Sequence, residues 1–263
     1  MRRFAVILPA AGRSTRFGDP GSKKTYADLN GRAVWLRSAD LFLARDDVAQ
    51  VVVAIHPEDR ELVDRRYGAE IALRGVTVID GGDERFKTVA LALDAVRPGA
   101  DFIAVHDAAR PCLAAEQVEA VFAAAASSGA ALLAVAVADT LKRVGPDGRT
   151  AGTVPRAGLF AAQTPQVFRR DLLERAYAAR HDLLRAGTAI TDDCQLVEAL
   201  GHPCVVVPGS ALNLKITTLD DLKLAAAILQ ARPDRPMPTP LHSCSDDREG
   251  PDSPASSRSS ATR

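Results

Sequence analysis

Short, uninterrupted apolar runs alternate along this chain with stretches in which apolar residues recur every three or four positions. The first run, Arg3-Phe4-Ala5-Val6-Ile7-Leu8, is bounded by Pro9 and Gly12 and reads as a strand buried on both faces. Val34, Ala39, Leu41 and Phe42 then fall at helical spacing between Arg32 and Arg45. A second buried strand, Val51–Ile55, precedes Pro57-Glu58-Asp59, a proline-plus-acid helix start. Val76–Ile79 predicts a third strand, closed by Asp80-Gly81-Gly82-Asp83 and followed by a helix over Arg85–Val96. A fourth strand, Asp101–Val105, ends in His106-Asp107-Ala108-Ala109-Arg110-Pro111. An alanine-rich helix over Ala115–Ser127 then leads to a fifth strand, Ala131–Val137. This alternation defines an α/β chain with a doubly wound, mostly parallel sheet.

The alternation breaks at residues 139–156. Two short extended pieces flank Val144-Gly145-Pro146-Asp147-Gly148, whose turn chemistry suits a hairpin. The stretch has too few apolar residues to bury a core of its own, so it is expected to be an arm that needs a partner surface. Helices are expected near Arg169–Arg185 and Asp192–Leu200. Val205–Val207, the extended Asn213-Leu214-Lys215-Ile216 and a last helix over Asp220–Gln230 follow. Residues 1–231 therefore form the expected domain. Residues 232–263, rich in Pro, Ser, Asp and Arg with little to bury, are expected to be a disordered tail.

Composition narrows the class. Lys+Arg and Asp+Glu are 33 each, so no global field favours nucleic acid or a membrane surface, and any polyanion must be met by local clusters. Cys112, Cys194, Cys204 and Cys244 form no CxxC pair and no metal-ligand spacing, which fits reduced thiols. The first apolar run, about six residues, is too short for a signal-peptide core or a bilayer span. A cytoplasmic protein is expected.

Candidate chemistry lies where the first strand ends. Ala10, Ala11 and Gly12 are small enough for backbone N–H groups to approach an anion, and Arg13, Arg16, Lys23 and Lys24 supply charge. Such a turn belongs at the carboxyl ends of an open α/β sheet, where ligands bind. It is not the dinucleotide motif G-x-G-x-x-G. Nor is Gly18–Thr25 a P-loop, because Lys23 stands where the glycine before the P-loop lysine is required.

A further set of stretches accompanies this turn. Leu8-Pro9-Ala10-Ala11-Gly12 with Arg16 and Lys24, Asp80–Arg85, His106–Pro111, Asp139-Thr140-Leu141-Lys142, Thr164-Pro165-Gln166, Ile190–Asp193 and Asn213–Thr217 occur in that order. As an ordered set over residues 3–231 they resemble the cytidylyltransferases of the non-mevalonate isoprenoid pathway, which join 2-C-methyl-D-erythritol 4-phosphate to CTP. The resemblance implies a Rossmann-like nucleotidyltransferase fold with a β-hairpin dimerisation arm. It implies that Arg16 and Lys24 stabilise the triphosphate and the pentavalent transition state, and that Lys215 bridges the phosphates of the two substrates. It gives cytosine recognition to Ala10, Ala11, Gly12, Gly82, Asp83 and Thr88, and Mg²⁺ to Asp107. Thr140 and Arg156 match positions that hold the polyol phosphate, and Arg110, Thr164 and Thr191 match others lining that pocket. Thr191 also suits the N-cap of the following helix. The arm, at about 139–156, would clasp a second copy and make a homodimer with composite sites. Lys23 and Thr25 depart from the family's usual residues. His106 reads as structural, as do Cys112 and Cys194.

The implied chemistry is physically coherent. A phosphate monoester has its second pKa near about 6, so the attacking oxygen is largely ionised at neutral pH and needs no general base. The site must instead align two repelling anions and compensate charge on the α-phosphorus. Two other readings share the fold: a cytidylyltransferase for another polyol phosphate such as ribitol 5-phosphate, and a catalytically silent nucleotide-binding regulator.

Overall fold

The computed structural model describes residues 2–12, 17 and 23–232. The expected α/β class holds. Strand β1 (Phe4–Pro9) leads to α1 (Val34–Leu43), β2 (Val48–Ile55), a 3₁₀ turn (Pro57–Asp59) and α2 (Arg60–Arg74). After β3 (Thr77–Asp80) come α3 (Arg85–Asp94), β4 (Phe102–Val105), α4 (Ala115–Ser128) and β5 (Ala130–Ala136). The arm is β6 (Leu141–Val144) and β7 (Thr150–Val154). The remaining elements are β8 (Phe160–Arg169), α5 (Arg170–Ala178), α6 (Arg180–Arg185), α7 (Asp193–Ala199), β9 (Val205–Pro208) and α8 (Leu219–Gln230).

Seven strands form one sheet in the order β3-β2-β1-β4-β8-β5-β9. All neighbours pair in parallel except β8, which runs antiparallel to both β4 and β5. The period of two along the strands sends alternate residues to opposite faces. Phe4, Val6 and Leu8 of β1, with Val51, Val53 and Ile55 of β2, meet Trp35, Phe42, Val121 and Phe122 on one side. Ala5, Ile7, Val52, Ile103 and Val105 meet Phe86, Val89, Leu172 and Leu196 on the other. Helices therefore cover both faces, which explains why the parallel strands are apolar throughout.

Two sequence expectations need correction. The helical reading that resumes near Arg169 passes over β8, although this strand lies between β4 and β5. Gln163, Thr164, Pro165 and Gln166 mask it as a loop, yet Gln163, Thr164 and Gln166 are buried and hydrogen-bonded. The register shifts between Leu132 and Ala134, opposite this polar stretch, the kind of irregularity at which a strand accepts proline. Residues 213–216 in turn are not a strand. Ile216 N–H donates to the Ala109 carbonyl at 2.8 Å, and buried Asn213 donates to the Thr164 carbonyl at 3.0 Å, so the segment is tied to loops instead of a ladder. Arg16 and the tail beyond Arg232 lie outside the described residues.

The arm is the expected hairpin. Among the described residues its two strands pair only with each other, antiparallel, with Leu141 opposite Val154.

Candidate active site

The cleft is built where β1, β3 and β4 end. Ala10 N–H donates to the Ala54 carbonyl and Gly81 N–H to the Ile55 carbonyl, both at 2.7 Å, so the last residues of β2 hold two loops side by side. Their approach requires glycine: a Cβ on Gly81 would lie 2.6 Å from the Ala11 Cβ and 2.9 Å from Thr88 Cγ2. Thr88 is buried, and its hydroxyl accepts from Gly82 N–H at 3.1 Å, which fixes the loop at the start of α3. Ala10, Ala11 and Gly12 form one wall, and Gly82, Asp83 and Thr88 the other. Lys24, Asp107 and Lys215 close the remaining sides.

Asp107 is the electrostatic centre. It is buried at the carboxyl end of β4, with Lys215 Nζ 2.8 Å from Oδ2, Arg110 Nε 3.5 Å from Oδ2 and Arg85 Nε 3.4 Å from Oδ1. Burial alone would raise its pKa. The charges of Lys215, Arg85 and Arg110 and the Lys215 hydrogen bond outweigh that, holding the carboxyl well below the usual carboxylate range. Arg85 also pairs with buried Asp193 at 2.8 Å. Three cations thus surround two carboxylates, with Lys24 lining the same cleft. Cations converging at fixed positions at the strand ends suit a polyphosphate.

Asp107 is oriented from behind by a chain of hydrogen bonds. Its N–H donates to Thr164 Oγ1 at 3.0 Å, and Thr164 Oγ1 lies 3.1 Å from His106 Nδ1. His106 Nε2 lies 3.1 Å from the Arg110 carbonyl, which can only accept. Nε2 therefore carries the proton, and Nδ1 accepts from the Thr164 hydroxyl. Burial is the main cause that lowers the His106 pKa, to about 4, so the ring is neutral at pH 7. This supports the structural reading of His106. In the unfolded chain the ring takes up its proton near pH 6.5, whereas the folded ring does not until about pH 4. The unfolded state thus binds more protons between those values, and stability falls as pH is lowered through that window, by at most about 3 kcal/mol. Thermal denaturation in EDTA at pH 7 and pH 4.5 checks this. His106→Gln is expected to show a smaller loss on acidification than wild type, and an equal loss would refute the assignment.

Of the residues expected from sequence, Ala10, Ala11, Gly12, Lys24, Gly82, Asp83, Thr88, Asp107 and Lys215 share one cleft. Arg110 and Thr164 contact Asp107 directly; Arg110 is further fixed by its bond to the Asn213 carbonyl at 2.7 Å. Thr140 and Arg156 are exposed at the ends of the arm. Thr191 is exposed, with its hydroxyl 3.2 Å from Gln195 Oε1. The N-cap of α7 is not Thr191 but Asp192, whose carboxylate accepts from Gln195 N–H at 3.0 Å, because Thr191 lies one residue too early. Sequence reasoning does not single out Arg85, Gln166 and Asp193. All three stand inside the quoted stretches; an ion pair between residues 108 apart has no local signature.

Small residues and converging cations at the strand ends of a doubly wound sheet are the features of a nucleotide-phosphate site, and the likeness to known proteins makes the class that of the nucleotidyltransferases. The lineage is narrower. Residues 4–231 match the family model described as IspD, 2-C-methyl-D-erythritol 4-phosphate cytidylyltransferase, and the chain belongs to that family. It is 40% identical over 236 residues to the 2-C-methyl-D-erythritol 4-phosphate cytidylyltransferase of Rhodopirellula baltica, covering 86% of this chain and 94% of that protein. Identity to the Frankia casuarinae protein of the same name is 43% over 228 residues, with 86% and 81% coverage. The crystal structure of the Thermus thermophilus enzyme superposes with a TM-score of 0.69 at 32% identity, over 88% of this chain and all of that one (100%).

Proposed function

We propose that the cleft transfers CMP from CTP to 2-C-methyl-D-erythritol 4-phosphate, releasing pyrophosphate and forming 4-diphosphocytidyl-2-C-methyl-D-erythritol. The observation that carries the reading is the grouping of Asp107, Lys215 and Lys24 in one cleft with the Ala10–Gly12 and Gly82–Asp83 loops. The small residues and the Gly82 loop bring peptide groups to the pyrimidine edge. Lys24 faces the charge that develops on the α-phosphorus, and Lys215 bridges this group and the incoming phosphate.

Mg²⁺ is the proposed cofactor, and the donor set fits it. Among the described residues no cluster of three or more His, Cys, Asp or Glu could cage a metal. Mg²⁺, however, needs only one or two protein carboxylates when phosphate oxygens and water complete its shell. Asp107 would hold it. When bound, the ion neutralises triphosphate charge and orients the leaving group. Lys215 pairs with Asp107 Oδ2 at 2.8 Å, and its side chain, 40% exposed, has room to turn toward the second substrate's phosphate.

The polyol phosphate is assigned to Arg110, Thr164, Thr191 and, from a second copy, Thr140 and Arg156. Support comes from an exposed hairpin without a core of its own that carries both of the latter at its ends. A homodimer with composite sites follows. No helix among the described residues is long and apolar enough to cross a membrane, which accords with the proposed cytoplasmic location.

Pyrophosphate release with CTP, Mg²⁺ and each polyol phosphate in turn tests the reading. Turnover is expected with methylerythritol phosphate; turnover with ribitol 5-phosphate alone, or binding of CTP without any release, would overturn it. A charge-assisted contact to phosphate is worth about 1.5–3 kcal/mol, so Arg156→Ala should raise the KM for the polyol phosphate about 10- to 100-fold. The KM for CTP should barely move.

A further inference from the structure

Arg85 stands at the first position of α3, beside the glycine pair of the nucleotide loop. Its Nη2 donates to Asp193 Oδ2 at 2.8 Å, and its Nε lies 3.4 Å from Asp107 Oδ1. Asp193 is itself anchored without Arg85. The Tyr177 hydroxyl donates to its Oδ1 at 2.5 Å, and its N–H donates to Gln166 Oε1 at 3.0 Å. Gln166 sits in the sheet, opposite Val105 of β4 and Leu132 of β5, and also donates to Asp192 Oδ2 at 2.9 Å. The head of α7 is therefore a fixed point. From it the guanidinium reaches across to the carboxylate at the end of β4.

A buried aspartate needs one cation, and Asp107 already has Lys215 and Arg110 on Oδ2. What Arg85 adds is hold on the other oxygen. With Oδ1 restrained from the α3 side, Oδ2 stays turned toward Lys215 and the cleft. The same fork ties Asp107 to the segment that begins at Thr191, two residues before Asp193. The geometry points to Arg85 as a positioning residue of the transfer reaction: it sets the Asp107 carboxylate and the Thr191–Asp193 segment in one mutual arrangement. This rests on the functional reading above.

The test uses full-length wild type, Arg85→Lys and Arg85→Gln. Pyrophosphate release is measured against Mg²⁺, CTP and methylerythritol phosphate, CTP binding by calorimetry at low and saturating Mg²⁺, and thermal stability alongside. Lysine keeps a charge for Asp193 but lacks the fork to span both carboxylates, so Tm is expected to stay within about 3 °C of wild type. Partners that orient a metal ligand change metal affinity by about 10- to 100-fold. The Mg²⁺ concentration for half-maximal rate and the KM for the polyol phosphate should therefore each rise about tenfold in Arg85→Lys. CTP binding should weaken by about tenfold at low Mg²⁺ and change less than about threefold at saturation. Arg85→Gln should show the same pattern more strongly; should it fail to fold, Arg85→Lys alone decides. A folded Arg85→Lys with the wild-type Mg²⁺ midpoint and polyol-phosphate KM overturns the inference, whatever its Tm. A wild type that releases no pyrophosphate overturns the functional reading, and this inference with it.

Discussion

Asp107→Asn is expected to lower pyrophosphate release by about two to three orders of magnitude, the usual size of effect when one preorganised electrostatic group leaves an active site. Asparagine keeps the shape and one acceptor oxygen, but presents amide hydrogens to a site that holds Lys215, Arg85 and Arg110. The variant loses the charge that would draw Mg²⁺ to the triphosphate, and raising Mg²⁺ should recover only part of the rate. Stability should fall as well. Removing one member of a buried ion pair costs about 3–5 kcal/mol, and the lower end applies because Lys215 can turn to water. The acid dependence gives an independent check. Burial raises the Asp107 pKa, but its three cations hold it far below the value near 3.9 expected in the unfolded chain. Its contribution is therefore present above about pH 4 and is lost as pH falls further. The difference in Tm between wild type and Asp107→Asn should narrow on acidification below about pH 4. Wild-type turnover in a folded Asp107→Asn would remove Asp107 from the mechanism.

Much of this arrangement is legible in the residues themselves, and the part that is not has a common cause. β1, β2 and β4 announce themselves because strands buried on both faces must be apolar, and the loops leaving β1, β3 and β4 are marked by Ala10-Ala11-Gly12, Gly81-Gly82 and Asp107. β8 does not, because its buried positions are polar for the sake of their partners: Thr164 serves Asp107 and His106, and Gln166 serves the head of α7. A periodicity reading scores such residues as loop, since it sees polarity and not the bond that satisfies it. Lys215 is associated with the cleft by its motif but set on a strand by its neighbours; Leu214 and Ile216 alternate, yet Ile216 bonds to the loop after β4 and not to a ladder. Arg85 stands in the sequence as part of a motif without a role. Its significance depends on Asp193, which only the folded chain brings within reach.

The other large expected effect belongs to Lys24→Ala. Lys24 lies in a turn that is secured on both sides without it. Preceding it, Lys23 Nζ donates to both oxygens of Asp59 at 2.7 Å. Following it, Trp35 N–H donates to the Thr25 carbonyl at 3.0 Å, and the Tyr26 hydroxyl donates to Asp59 at 3.1 Å. The backbone thus carries the lysine to the cleft wall, where it stands with Asp107 and Lys215. Removing the ammonium should cost about 10²–10³ in kcat/KM, with Tm changed by only a few degrees. Lys23→Met supplies the contrast. It breaks a half-buried ion pair and, among the described residues, leaves the Asp59 carboxylate to the Tyr26 hydroxyl, so it should lower Tm more than Lys24→Ala while reducing turnover by about tenfold at most. Two adjacent lysines of equal charge would then separate cleanly, one acting on the reaction and its neighbour on the loop that carries it. If Lys24→Ala, folded, released pyrophosphate at the wild-type rate, the convergence of cations on the α-phosphorus would not be what drives the transfer. Catalysis would then have to be sought in Arg16, Asp107 and Lys215.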